Sequence, residues 1–146
     1  MRTQSRVPNE EVWKPVVGYE DFYEVSNMGG VRSLDRTMLR DNRHGKQPTK
    51  IKGRTMKQGL RSGYPYVNLC VDNKRKKRTV HSLVADAFLS WTGVGEINHK
   101  DGVKINNHVN NLEWCTRSEN HRHALANGLF VPPSGKDHWT QKRKCL

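Results

Sequence analysis

Three polar side chains in the C-terminal half of the chain could together support hydrolytic chemistry. They are His99, Asn111 and Asn120, in a segment rich in asparagine with almost no continuous apolar run. A neutral imidazole can accept a proton from water near physiological pH. An amide can hold a loop through its donor and acceptor, or offer its oxygen to a metal ion. These residue types indicate a water-activating, metal-assisted site if the fold brings them together.

The elements around these residues are predicted in the order strand, loop, strand, helix. They are a strand at 96–99, a loop at 106–110, a strand at 112–115 and a helix that stops at 127–128. Thr116 and Glu119 have the spacing of a capping box, which places the start of the helix. A strand-borne His99 and a helix-borne Asn120 can then converge between hairpin and helix, with Asn111 at the entrance to the second strand.

Two stretches resemble a known family. The segment "INHKDGVKINNHVNNLEWCTRSENHRHA", preceded by "TVHSLVADAFL", resembles the HNH family of phage and intron homing endonucleases, in the branch whose third motif histidine is asparagine. The segment "WKPVVGYEDFYEVSNMGGVRSL" is similar to a small nuclease-associated module that precedes such domains. The resemblance as a whole extends beyond the quoted residues and covers about two thirds of the chain.

This resemblance implies a role for each motif residue. It makes His99 the general base, Asn111 the residue that holds the loop and orients the histidine, and Asn120 a catalytic position and divalent-metal ligand. Asn98 matches a position where related enzymes often have aspartate as the other metal ligand. An amide there supplies an oxygen but no charge. The implied cofactor is Mg²⁺ or Mn²⁺, held by few protein oxygens.

Other interpretations of these residues stay open. His99 could be structural, Asn120 an ordinary exposed helix residue, and Asp101 a cap for the turn at Gly102. Four histidines near the motif have no catalytic assignment and are expected to pack or to contact phosphate or solvent, namely His81, His108, His121 and His123.

The positive charge of the chain lies almost entirely in one segment. The net charge is +12, and residues 32–78 contain fifteen Lys/Arg against three Asp, so the other residues sum to zero. This distribution is typical of a surface that follows a nucleic-acid backbone, although a basic face kept for solubility is the alternative. The candidates for DNA contact are Arg32, Arg36, Arg40, Arg43, Lys50, Lys52, Arg54, Lys57, Arg61, Lys74, Arg75, Lys76, Lys77 and Arg78.

The elements before residue 96 are predicted from turn chemistry and periodicity. Strands at 22–25 and 31–34 flank a turn at 27–30, and Trp13, Tyr19 and Tyr23 supply a small core or stack on bases. Residues 35–63 lack a period and are expected to be a flexible or extended basic arm or a linker. A hairpin at 66–80 then leads into an amphipathic helix that carries Val80, Leu83, Val84, Ala87 and Phe88.

These elements predict an α+β protein. A small N-terminal β-hairpin module and basic arm occupy residues 1–60, and a ββα-metal nuclease unit occupies residues 61–130. Residues 131–146 are expected to be a linker or tail, or the start of a further DNA-binding element. The expected function is metal-dependent hydrolysis of double-stranded DNA, with one strand nicked per active site, by a monomer or weak dimer. A catalytically decayed DNA-binding protein is the alternative, and an RNA-binding protein is ranked last.

Cysteine content and hydropathy limit the cofactors and the location. Cys70, Cys115 and Cys145 are far apart and form no C-x-x-C, so neither a disulfide framework nor a structural zinc is expected. No stretch approaches the roughly 18–20 apolar residues of a membrane span. The N-terminus has no apolar core of a signal peptide. The protein is therefore expected to be soluble and cytoplasmic, not secreted, and to have no membrane partner.

Overall fold

A computed structural model describes residues 10–91, 93 and 95–130. The predicted tail at 131–146, with Cys145, lies outside the described residues. Within the described part, ten strands form antiparallel sheets and are joined by two α-helices. The prediction of an α+β fold is confirmed.

The N-terminal module is a three-stranded sheet. Its strands are β1 (Trp13–Pro15), β2 (Tyr23–Ser26) and β3 (Val31–Ser33), in that order across the sheet. The predicted β2–β3 hairpin is present, and β1 is an addition that the sequence pattern did not reveal. The turn between β2 and β3 is held by the Ser26 hydroxyl, which accepts a hydrogen bond from the Gly30 amide at 2.8 Å.

The segment after β3 is extended, as predicted, but it is a paired hairpin rather than a flexible arm. Strands β4 (Arg36–Asn42) and β5 (Gly45–Ile51) pair along their whole length, and Gly45 has a φ of +91° in the turn. Most side chains on both strands are exposed. Because the hairpin has almost no buried face, its sequence carries no alternation of apolar and polar residues to reveal it.

The third sheet leads into the first helix as predicted. Its strands are β6 (Gly59–Arg61), β7 (Tyr64–Val71) and β8 (Lys74–Thr79), and β8 runs directly into helix α1 (Val80–Phe88). Both residues of the β7–β8 turn, Asp72 and Asn73, have positive φ, as a tight two-residue hairpin requires.

The predicted strand–loop–strand–helix unit is also present. It consists of β9 (Glu96–His99), a 3-10 turn at Val109–Asn111, β10 (Leu112–Cys115) and helix α2 (Arg117–Ala126). Thr116 and Glu119 form the predicted capping box. Gly128, with a φ of +65°, follows the helix end.

One hydrophobic core joins the N-terminal sheet to the later elements. Its fully buried members are Val16, Tyr23, Val25, Val31, Val67, Leu69, Val80, Leu83, Val84 and Leu112. The Tyr23 hydroxyl also donates to the carbonyl of Cys70 and accepts from its amide, both at 3.0 Å. The N-terminal sheet is therefore packed onto the elements that carry the predicted site.

Candidate active site and nucleic-acid interface

A cleft of about 390 Å³ lies between strand β9 and helix α2. It is lined by Asn98, His99 and Asn120, three of the residues that the sequence singled out, and also by Glu96. Lys104 and Arg117 line it too and add positive charge, which suits a phosphate group. The fold therefore brings together a histidine, two amides and a carboxylate at one open surface.

His99 is almost fully buried, with 6% of its surface exposed. Its Nε2 lies 3.1 Å from Oδ1 of Asn107. An amide oxygen can only accept a hydrogen bond, so this contact requires that Nε2 of the neutral ring carries the hydrogen. The other ring nitrogen, Nδ1, then holds the lone pair that can accept a proton.

Asn111 contacts the loop rather than the ring of His99. Its Nδ2 donates to Asp101 Oδ1 at 2.8 Å and to the carbonyl of Asn106 at 2.9 Å, and its Oδ1 accepts from the Asp101 amide. Hydrogen bonds from the Asn106 side chain, the Val103 amide and Asn111 lower the pKa of Asp101, so its carboxylate stays charged. Asp101 thus caps the turn that follows β9.

The metal-ligand candidates are each paired with a glutamate. Asn120 Nδ2 donates to Glu96 Oε2 at 2.7 Å, and Asn98 Nδ2 donates to Glu113 Oε1 at 2.9 Å. Glu96 and Asn98 are two residues apart on β9 and therefore point to the same side of the strand. Sequence reasoning missed Glu96, although this spacing would have found it.

Sequence reasoning also missed Asn107. The side chain of Asn107 is 5% exposed and is the one that meets the His99 ring. Because the loop contains several asparagines, composition and spacing gave no signal to separate Asn107 from Asn106 or Asn110.

His81 packs beside the site. Its ring centroid lies 5.2 Å from that of His99 and 5.1 Å from that of Tyr64. Burial lowers the pKa of His81 to about 4, and repulsion by His99 adds to this effect. His81 is therefore neutral at physiological pH and fills the space behind His99.

Three more histidines of the nuclease unit, His108, His121 and His123, have structural contacts. The His108 side chain accepts a hydrogen bond from the Asn110 amide and caps the 3-10 turn. On helix α2, Nε2 of His123 lies 3.0 Å from the Lys100 carbonyl, and the exposed His121 packs against the ring of Phe130.

The fourteen basic candidates separate into three groups. Five of them line one cleft of about 440 Å³ beside the β4–β5 hairpin, namely Arg36, Arg40, Lys52, Arg54 and Arg75. No Asp or Glu lines this cleft. Within it, Nη1 of Arg36 is buried and has no hydrogen-bond partner among the described residues. The cleft is therefore suited to an anion.

The second group of basic candidates already has partners within the protein. Arg32 pairs with Glu24 at 2.6 Å, Arg78 pairs with Asp86 at 2.7 Å, and Lys77 lies over the ring of Tyr66. The third group consists of exposed side chains outside the cleft, namely Arg43, Lys50, Lys57, Arg61, Lys74 and Lys76.

Two kinds of feature are absent from the described residues. No group of three or more His, Cys, Asp or Glu side chains in residues 10–91, 93 and 95–130 is placed to hold a metal ion. In the same part of the chain, neither helix combines the length and apolarity needed to cross a membrane.

Comparisons with known proteins agree with this organisation. A NUMOD4 motif matches residues 11–70, and an HNH endonuclease family matches residues 80–122. An uncharacterized HNH endonuclease of Acanthamoeba polyphaga mimivirus is 35% identical over 118 residues, which is 80% of this chain and 31% of the relative. The DNA endonuclease I-HmuI of Bacillus phage SP01 is 34% identical over 120 residues, which is 81% of this chain and 60% of the relative.

A solved structure gives the same result. The structure that describes DNA binding and cleavage by the HNH homing endonuclease I-HmuI superimposes with a TM-score of 0.67 and 32% identity. The match covers 90% of this chain and 66% of that one. The chain thus spans between 31% and 66% of the length of these relatives. With a NUMOD4 motif ahead of an HNH endonuclease module, the chain belongs to the HNH homing endonuclease family.

Proposed function

We propose that this chain is a metal-dependent endonuclease that hydrolyses phosphodiester bonds of double-stranded DNA. The observation that carries the proposal is the convergence of Asn98, His99 and Asn120 on one cleft. A protein that had lost catalysis would have no need to keep these side chains together. The related I-HmuI is described as binding and cleaving DNA.

In this proposal His99 is the general base. Its Nε2–H is directed to Asn107, so Nδ1 accepts the proton of the attacking water. Asn111 holds the loop between the two strands through Asp101 and Asn106, and thereby keeps the end of β9 in place. Lys104 and Arg117, which line the same cleft, stabilise the negative charge of the phosphate.

The residues of the cleft fit a hard divalent cation. Glu96, Asn98 and Asn120 offer oxygen atoms from a carboxylate and two amides, the ligand type that Mg²⁺ and Mn²⁺ prefer. Glu96 supplies the negative charge that Asn98 lacks. When bound, the cation stabilises charge that develops on the phosphate and the leaving oxygen. The amide of Asn120 would turn its oxygen to the ion in place of the hydrogen bond to Glu96.

The basic cleft of Arg36, Arg40, Lys52, Arg54 and Arg75 binds the DNA backbone in this proposal. The N-terminal module, residues 1–60, and the nuclease unit, residues 61–130, then hold one duplex together. One active site per chain predicts a nick in one strand by a monomer, or a double-strand break if two chains form a weak dimer. Because the relatives come from a Bacillus phage and a mimivirus, the DNA is expected to lie in the cytoplasm of a host cell.

A decayed nuclease that only binds DNA is the competing proposal, and the pairing of Asn98 with Glu113 favours it. Plasmid cleavage with Mg²⁺, with Mn²⁺ and with EDTA, alongside a gel shift, separates the two. Metal-dependent conversion of supercoiled DNA to the open circle supports the enzyme. Binding without cleavage under any metal supports the decayed nuclease, and Asn98→Asp then tests whether a restored charge restores cutting.

A further inference from the structure

The buried asparagine beside His99 is also in contact with the N-terminal module. The turn between β2 and β3 carries Gly29, and a Cβ atom at this position would lie 2.9 Å from Cβ of Asn107 and 3.5 Å from its carbonyl oxygen. Two residues earlier in the same turn, the carbonyl of Asn27 accepts a hydrogen bond from the Val109 amide at 2.8 Å. The turn at 27–30 therefore touches the loop between β9 and β10 on both sides of His108.

We propose that Asn107 is a positioning residue that fixes the ring nitrogens of His99, and that the turn at 27–30 of the NUMOD4 module holds Asn107 in place. The N-terminal module then packs against the active site and stabilises it, in addition to binding DNA. The inference deepens the proposed function, because it rests on His99 as the general base.

The chemistry of the pair gives Asn107 its role. A neutral histidine exchanges between two forms that differ in which ring nitrogen carries the hydrogen. The oxygen of Asn107 at 3.1 Å stabilises the form with hydrogen on Nε2. Asn107 Nδ2 contacts the carbonyl of Ile105 at 3.4 Å, which keeps the amide oxygen directed to the ring. Without this oxygen, part of the population would carry hydrogen on Nδ1 and could not accept a proton there.

The packing of the turn gives Gly29 its role. Its φ of +88° favours glycine, and the space above its Cα is occupied by Asn107. Its carbonyl also accepts a hydrogen bond from Nε2 of Gln58 at 2.8 Å, which fixes the turn from the other side. A methyl group at Gly29 would displace Asn107, because a shift of the turn in the other direction would break the hydrogen bond between Gln58 and the Gly29 carbonyl.

The first test replaces the side chain of Asn107. Asn107→Ala removes the oxygen, whereas Asn107→Asp keeps one at the same distance. The readouts are the tautomer of His99 from long-range ¹H–¹⁵N NMR of the free protein, single-turnover cleavage, and a gel shift. We expect Asn107→Ala to mix the tautomers of His99 and to slow cleavage roughly 10–100-fold, as when other histidine-orienting partners are lost. Asn107→Asp should retain the Nε2–H form. DNA binding should be unchanged in both variants.

The second test uses a matched pair of glycines. Gly29→Ala and Gly18→Ala both place a methyl group at positive φ, +88° and +80°, but Gly18 has no atom within 4 Å of the added group. The backbone strain is therefore similar, and the contact with Asn107 is what differs. We expect Gly29→Ala to slow cleavage and to mix the His99 tautomers, and Gly18→Ala to do neither. Each cleavage rate is first divided by the fraction of that variant that is folded.

The outcomes separate this inference from the proposed function. A wild-type Nε2–H tautomer that survives in Asn107→Ala overturns the positioning role, whatever the cleavage rate. Equal effects of Gly29→Ala and Gly18→Ala overturn the role of the turn. If Gly29→Ala does not fold, the support from the turn is tested instead by Gln58→Ala, which removes the hydrogen bond to the Gly29 carbonyl. Unchanged tautomers and an unchanged cleavage rate in that variant overturn the role of the turn. A wild-type protein that never cuts DNA refutes the proposed function, but the tautomer measurement still decides the role of Asn107.

Discussion

The basic cleft beside the β4–β5 hairpin makes a quantitative prediction about salt. Arg40 and Arg75 both line this cleft, and both side chains are exposed. Each phosphate that a protein neutralises contributes about 0.9 to the slope of log K against log salt for duplex DNA. Arg40→Gln with Arg75→Gln should therefore lower the magnitude of the slope by about 1.8. Over a range from about 50 to 200 mM salt, the wild type then loses about tenfold more affinity than the variant.

A second double variant is the control for this prediction. Arg32→Gln with Arg78→Gln removes the same formal charge, but these side chains pair with Glu24 and Asp86 in the structure. A paired arginine releases few ions on binding DNA, so we expect its slope to stay within about 0.5 of the wild type. The assay is a fluorescence-anisotropy titration of duplex DNA at several salt concentrations, without divalent metal.

The comparison of the two double variants decides whether the position of an arginine, and not only its charge, controls the salt dependence of DNA binding. Equal reductions of the slope in both would refute the assignment of the cleft, because they would mean that only net charge controls binding. If the slope is unchanged in the cleft variant, the phosphate contacts must be made by other members of the fourteen basic candidates.

Three further predictions test the core, the buried histidine and the metal ligands. Tyr23→Phe removes two hydrogen bonds to Cys70 and should lower the free energy of unfolding in urea by about 1–3 kcal/mol, with no change in the slope of the transition. Because the pKa of His81 is lowered to about 4 from an ordinary 6.5, the unfolded chain binds the proton first as the pH falls. The stability that this group contributes is present above about pH 6.5 and is lost towards pH 4. In urea titrations the loss should be about 1–2 kcal/mol at pH 5. His81→Gln should lose less unfolding free energy than the wild type between pH 7 and pH 5. Glu96→Gln should weaken Mn²⁺ binding, measured by calorimetry, at least about tenfold. Glu113 does not line the active-site cleft, so Glu113→Gln should leave Mn²⁺ binding unchanged. Equal losses of affinity in the two variants would contradict the role of Glu96.

Local chemistry in the sequence was enough to predict much of the fold. The capping box of Thr116 and Glu119 specifies the start of α2 through hydrogen bonds between near neighbours. The turn at Asp72 and Asn73 tolerates positive φ, and the apolar spacing from Val80 marks α1. Each of these signals is local, so no knowledge of distant contacts was required.

The features that the sequence did not reveal either leave no pattern of apolar residues or depend on contacts between distant residues. The β4–β5 hairpin has almost no buried face, and β1 is short, so neither produces a hydrophobic period. The partners of the motif residues were hidden for a related reason: Asn107 acquires its importance from the position of His99 and from the turn that carries Gly29. The motif predicted which side chains share the cleft, but not which neighbours orient them.

The most direct test of the central claim compares two histidines of the same cleft. His99 and His121 both line it, but only His99 is proposed to take the proton of the attacking water. In single-turnover plasmid cleavage with Mg²⁺ or Mn²⁺, we expect His99→Ala to cut at least about 100-fold more slowly than the wild type, with DNA binding and thermal stability retained. We expect His121→Ala to stay within a few-fold of the wild type. Cleavage by His99→Ala at the wild-type rate, or an equal loss in both variants, would contradict the assignment of His99 as the general base.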